Sequence, residues 1–177
     1  MIEMRLMRIL ATGFLALGLV ATTAFAPVAA QGQQQVVTQF DDSTISRLLL
    51  DVQTTWQIEP GPDGVSIYRA SADGGIAFTA LPRACAPEQG CRALAMIAQF
   101  TRTDGRPLAE LDNFLNTFND RVPAGKVYRM NDGTVVLQGY INAAFGISYA
   151  NAQAQLLVYG QNIQALRAGL EAFSEGR

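Results

Sequence analysis

Residues 108–140 read LAELDNFLNTFNDRVPAGKVYRMNDGTVVLQGY, a helical period that gives way to two strands around Asn131-Asp132-Gly133. Leu108, Leu111, Leu115, Phe118 and Val122 step by three and four residues, with Phe114 beside them, which predicts an amphipathic helix. Pro107 suits its first turn, and Pro123-Ala124-Gly125 ends it. Lys126–Met130 and Thr134–Ile141 read as strands. Asn131, Asp132 and Gly133 tolerate positive φ, so they form the strongest hairpin signal in the chain.

Working outward, Tyr149–Phe173 predicts a long final helix after a loop, Asn142–Ser148, that holds Gly146. Tyr149, Ala152, Leu156, Tyr159, Ile163, Leu166, Leu170 and Phe173 form a heptad seam. The seam either packs on the sheet or joins two copies. Gly160 lies inside this helix and either kinks it or admits another backbone.

Upstream, Phe40–Trp56 predicts a first helix capped by Asp42 or Ser43. Ile45, Leu48, Leu49, Val52 and Trp56 share its apolar face. Glu59–Gly64 and Ser71–Gly75 read as turns. Strands are expected at Val65–Ala70, Ile76–Leu81 and Ala93–Thr101. Val65, Ile67 and Arg69 share one face of the first, and Pro82 ends the second at an edge. Thr103–Arg106 is a further turn. The order αβββαββα segregates helices from strands and predicts an α+β fold, an antiparallel sheet with helices packed on it.

The chain has 177 residues, enough for one domain, expected over residues 40–174. Met1–Val20 carries Arg5 and Arg8 before an apolar run from Ile9, and small residues follow at Ala21–Ala30. That order predicts a secretory signal peptide over residues 1–30. Its apolar run is shorter than the roughly 20 residues of a membrane span. Cleavage between Ala30 and Gln31 is expected; a cut after Ala26 would place Pro27 next to the scissile bond. An uncleaved anchor is the alternative. A flexible polar tether, 31–39, would follow, and the mature chain would be periplasmic or secreted from a Gram-negative bacterium with no stable membrane span.

Cleavage removes two arginines and one glutamate, so the net charge moves from −2 to −3. That balance argues against nucleic acid as a partner, because phosphate binding needs a basic face. Histidine is absent, which removes the commonest general base and the commonest metal ligand. Cys85 and Cys91 in CAPEQGC are expected to pair in an oxidising compartment, with redox and metal roles as alternatives. So short a loop would contribute about 2 kcal/mol.

Residues for catalysis do not assemble. Lys126, the sole lysine, has no Ser-x-x-Lys context and reads as a solvated strand end. Glu110, Asp112 and Asp120 read as solvated helix residues, and Gly61, Gly64, Gly74 and Gly75 as turn glycines. No cofactor and no metal site are expected. Tyr128, Arg129, Tyr140, Asn142 and Phe145 form a candidate binding surface, since Tyr and Arg are enriched where proteins bind partners; packing on the sheet is the alternative.

Phe118-Asn119-Asp120-Arg121, then Lys126-Val127-Tyr128 with Asp132-Gly133-Thr134-Val135-Val136-Leu137, and then Gly146-Ile147-Ser148 together resemble the YbjN domain family of bacteria over residues 40–173. Phe118 stands where that family often has Trp, and Asp120 where an Arg often follows the Asn. The resemblance implies a fold similar to type III secretion chaperones, and a sensory or regulatory role exerted by binding other polypeptides, with a homodimer as one arrangement. The expected function is therefore an exported, non-catalytic, protein-binding or chaperone-like module of the cell envelope. A small-ligand receptor or enzyme of another type, and a structural envelope protein dimerising through the C-terminal helix, are the alternatives.

Overall fold

A sheet of six antiparallel strands, in the order β2-β3-β4-β5-β7-β6, carries three helices on one face. The computed structural model describes residues 35–102, 105–122 and 124–176. The expected signal peptide and both expected cleavage positions, Gln31 included, lie outside the described residues, as do Thr103 and Asp104 of the turn before the second helix.

In chain order the elements are β1 (Val36–Val37), α1 (Asp42–Asp51), β2 (Thr55–Pro60), β3 (Ser66–Ala72), β4 (Ile76–Ala86), β5 (Gly90–Phe100), α2 (Leu108–Arg121), β6 (Lys126–Arg129), β7 (Val135–Asn142), β8 (Ile147–Ser148) and α3 (Tyr149–Ser174). The α+β class holds. The sheet has one strand more than the periodicity predicts, and β1 and β8 form a separate two-stranded ribbon.

The extra strand is the main correction. The first helix stops at Asp51 instead of running to Trp56. Gln53 takes a left-handed φ of 59°, and the Thr54 N–H donates to the Leu49 carbonyl at 3.0 Å, which closes the helix. Gln is an unusual residue for that position, so the stop is hard to see. Beyond it, Thr55, Trp56 and Ile58 have the β-branched and aromatic character of a strand. Trp56 packs on the core from β2, not from the helix. The N-cap is Asp41, whose Oδ1 accepts from the Thr44 N–H at 2.7 Å, one residue before the expected caps.

The alternation along β3 turns Tyr68 and Ala70 to the core and Ile67 and Arg69 away from it. One further reading changes. Pro82 does not end its strand, because β4 continues to Ala86. Pro82 lies past the last β3–β4 pair, Tyr68↔Ala80, where one flank of β4 has no ladder partner among the described residues. Cys85 and Cys91 face each other across the β4–β5 hairpin and are disulfide-bonded.

Part of the expected tether is folded. Val36 and Val37 pair with Ser148 and Ile147, and Val37 and Phe40 are buried. The Phe40 N–H donates to the Cys91 carbonyl at 2.7 Å, so this segment links the ribbon to the tip of the β4–β5 hairpin.

The expected hairpin is present. Met130 and Gly133 close a turn, with the Gly133 N–H donating to the Met130 carbonyl at 3.0 Å. Of its three turn residues only Gly133 has positive φ, at 86°. The loop is thus a tight turn followed by a glycine bulge. In α2, Leu111 and Leu115 are buried and Phe114 and Phe118 pack partly on the core, while Leu108 is exposed despite its place in the period.

The α3 seam is spent inside the chain. Tyr149, Ala152, Leu156, Tyr159, Ile163, Leu166 and Phe173 are buried in the core cluster and Leu170 packs against it, so these side chains are not free to join a second copy. Tyrosines pin α1 at both ends: the Tyr68 hydroxyl donates to Asp42, and the Tyr149 hydroxyl to Asp51 at 2.8 Å. Burial first, and then the aspartate, push the Tyr149 hydroxyl up to about 12.

Gly160 lies inside one continuous helix, and among the described residues of this chain no other backbone closes on it. A Cβ there would meet only the Ile76 side chain, at 3.7 Å. Gly160→Ala is therefore expected to raise unfolding free energy by about 0.5–1 kcal/mol, read as a higher urea midpoint at unchanged slope.

Candidate functional site on the open face of the sheet

Alternation along each strand divides the sheet into a covered face and an open one. Tyr68, Ala70, Phe78, Ala80, Leu94, Met96, Ala98, Val127, Val135, Leu137 and Ile141 point to the helices and belong to the core. Their neighbours point the other way. In register, these include Thr55, Gln57 and Glu59 on β2, Ile67, Arg69 and Ser71 on β3, Thr79, Leu81 and Arg83 on β4, Ala93, Ala95, Ile97 and Gln99 on β5, Gln138, Tyr140 and Asn142 on β7, and Lys126 and Tyr128 on β6. Among the described residues, none of the three helices packs on this side.

Toward β2 and β3 the open face holds a groove of about 860 Å³, lined in part by Gln57, Ile67, Arg69, Thr79, Ile97 and Gln99. Arg69 is fixed within it. Its Nε donates to both Glu59 oxygens at 2.9 Å, and its Nη1 to Thr79 Oγ1 at 3.3 Å. The Thr55 and Ser71 hydroxyls lie 3.0 Å apart. The charged pair and the hydroxyls are thus committed to one another, so the groove offers mixed polar and aliphatic surface instead of a poised acid or base. A second concavity, of about 750 Å³, lies beside the disulfide and the unpaired flank of β4, between Val65, Ser66, Leu81 and Cys85.

The five candidate residues separate. Tyr128, Tyr140 and Asn142 share the open face. Tyr140 and Tyr128 are 51% and 38% exposed. Asn142 also serves the backbone, its Oδ1 accepting from the Ala144 N–H at 2.8 Å. Phe145 lies in the turn after β7 with its side chain fully in solvent. Arg129 belongs to the helix side. It donates to Asp112 of α2 through Nε at 2.6 Å and Nη2 at 3.0 Å, a bidentate clamp of α2 to β6. Asp112 is therefore not a simple solvated residue, and Arg129 holds its carboxyl below the usual range, mainly through the side-chain hydrogen bond.

Asn119, on the same helix, is the residue whose part is least visible in the period. Its Nδ2 donates to the Val127 carbonyl at 2.8 Å and its Oδ1 accepts from the Val127 N–H at 2.8 Å. One side chain thus satisfies both main-chain groups of a residue on the edge strand, as a neighbouring strand would. Its place between helix end and hairpin, in the stretch that carries the family resemblance, was the available signal.

The lowered carboxyls predict an acid effect. Asp112, and Asp41 through the backbone hydrogen bond of Thr44, have folded-state values below the ordinary 3.8. Their stabilising contribution is complete above that value and is lost as pH falls through the depressed one. Urea midpoints should fall on acidification below about pH 4, and Asp112→Asn should flatten that decline.

Among the described residues, no group of three or more His, Cys, Asp and Glu is placed to hold a metal ion. Among them, too, no helix is long and apolar enough to cross a membrane. Comparison with curated proteins finds no match. The family model described as "Putative bacterial sensory transduction regulator" matches residues 41–172, which takes in the chain from the α1 cap almost to the end of α3. With this match over most of its length, the chain belongs to the YbjN family.

Proposed function

We propose that the chain is an exported, non-catalytic module of the bacterial cell envelope that binds a polypeptide through the open face of its sheet. The observation that carries this reading is the face itself. Six strands turn one side to the core, and among the described residues no helix covers the other, which carries exposed tyrosines and a groove whose charged pair and hydroxyls hold one another. Exposed aromatic and polar surface of this kind suits recognition. Arg69 and Glu59 hold each other, so neither is set up as an isolated acid or base. A regulatory family description agrees with a binding role. Export rests on the tripartite order of residues 1–30 and on the cysteine pair.

Peptide display against the purified protein tests the binding role. Enriched peptides should lose affinity for Tyr140→Ala and Tyr128→Ala proteins of unchanged melting temperature. Peptides indifferent to both substitutions would place recognition elsewhere. N-terminal sequencing from a periplasmic fraction tests export: the first residue should be Gln31, and a chain that retains Met1 in the cytoplasm would contradict it.

A further inference from the structure

The open face is not uniform in charge. The protein is acidic, with 15 Asp and Glu against 13 Lys and Arg. Yet the outward strand positions of β5, β6, β7 and the second half of β4 carry no carboxylate. They carry Arg83 and Lys126, both exposed and with no ion-pair partner among the described residues. Glu59, the carboxylate in the outward register of the same sheet, lies on β2 and is held by Arg69.

Register places the two cations at opposite corners of this region. Arg83 is level with Ala93 and Asn142, and Lys126 is level with Gln138. Three strand spacings across and four residues along separate them by about 20 Å. Tyr140 lies between these levels, and Tyr128 follows Lys126 on the same face. The floor between is low, since the outward positions Ala93 and Ala95 project only a methyl group from the sheet. An extended segment of about six residues spans that distance.

Resting on the polypeptide-binding reading above, we infer that this half of the open face docks an extended acidic peptide segment. Its carboxylates meet Arg83 and Lys126. Its apolar side chains lie against Tyr140 and Tyr128. Gln138 and Asn142 offer amides to its backbone. Charge complementarity selects this occupant. Two unpaired cations are too few for a lipid surface, which draws on clusters of four to eight basic residues. The amide-bearing side chains suit peptide groups better than a ladder of phosphates.

The test is fluorescence anisotropy with a labelled peptide alternating Glu and Val, beside counterparts carrying Gln or Lys in place of Glu. The Glu peptide should bind the purified protein about tenfold or more tighter than either counterpart, and weaken with salt. The double variant Arg83→Glu/Lys126→Glu should lose that advantage while keeping its melting temperature. Arg121→Glu, at the end of α2 on the helix side, should keep it. Equal binding of the Glu and Gln peptides, or an unaffected double variant, would overturn the inference. If the Gln peptide binds and needs Tyr140, polypeptide recognition stands and the acidic preference fails. If no peptide binds, both fail. Preferential binding to vesicles of anionic lipid, or salt-sensitive self-association lost in the double variant, would assign the face to another occupant and overturn the inference too.

Discussion

Gly139→Val should destabilise the fold by about 3 kcal/mol, as a valine there must be forced into a filled core. Gly139 lies on the covered face of β7, under α3. A Cβ at this position would stand 2.6 Å from Tyr159 Cδ2 and 2.8 Å from Met96 Cε. The methionine end can move, but the Tyr159 ring cannot move freely. It is buried, its hydroxyl donates to the Leu137 carbonyl at 2.8 Å, and Phe78 meets it edge-on at 5.6 Å. Swinging the ring away would leave that carbonyl without this partner and open space beside Phe78. Gly139→Ala should cost less, about 1–2 kcal/mol, because one methyl demands a smaller shift. Urea denaturation of the two variants checks both the size and the order. Equal stability of wild type and Gly139→Val would mean that α3 does not sit on β7 as described.

Asn119→Ala is the second large effect, about 2 kcal/mol. The substitution removes two hydrogen bonds at once and leaves the Val127 N–H and carbonyl without their partner. Val127 is buried, so water replaces the lost amide poorly. Asn119→Asp separates the two halves of the clasp. A carboxylate still accepts from the Val127 N–H but cannot donate to its carbonyl. Its loss should therefore fall between wild type and alanine. Hydrogen exchange gives a local reading, since the Val127 amide should lose protection in Asn119→Ala before the amides of β5 do. The resemblance of Phe118–Arg121 to the family's helix end thus has a structural cause: it secures the outer edge of the sheet.

Much of the fold is legible where periodicity and turn chemistry agree. The α3 seam, the α2 face around Leu111 and Leu115, and the hairpin at Gly133 all follow from local pattern. Misreadings arise where an unusual turn residue or a distant strand partner overrides that pattern. Val52 and Trp56 continue the spacing of α1, yet Gln53 turns left-handed and Thr54 ties back to Leu49, so the chain leaves as a strand. That single stop hides β2, and with it the outward set Thr55, Gln57 and Glu59 that builds the groove with Arg69. Val36 and Val37 look like tether because their strand is two residues long and its partner lies beyond residue 146.

The candidate site was legible only in part. Tyr128, Tyr140 and Asn142 alternate outward as strand positions must. Arg129, one residue from Tyr128, points by the same alternation to α2, where Asp112 holds it. A solvated and a clamped arginine look alike in sequence; the register of the edge strand tells them apart.

Amide chemical-shift mapping shows which face of the sheet a bound peptide touches. Isotope-labelled protein would be titrated with the Glu–Val peptide and followed by two-dimensional nitrogen–proton spectra. The shifts should cluster at residues such as Ala95, Lys126, Tyr128, Gln138 and Tyr140, and leave the exposed sides of α1 and α3 unmoved. Shifts confined to the helices, or none at saturating peptide, would contradict recognition through the open face.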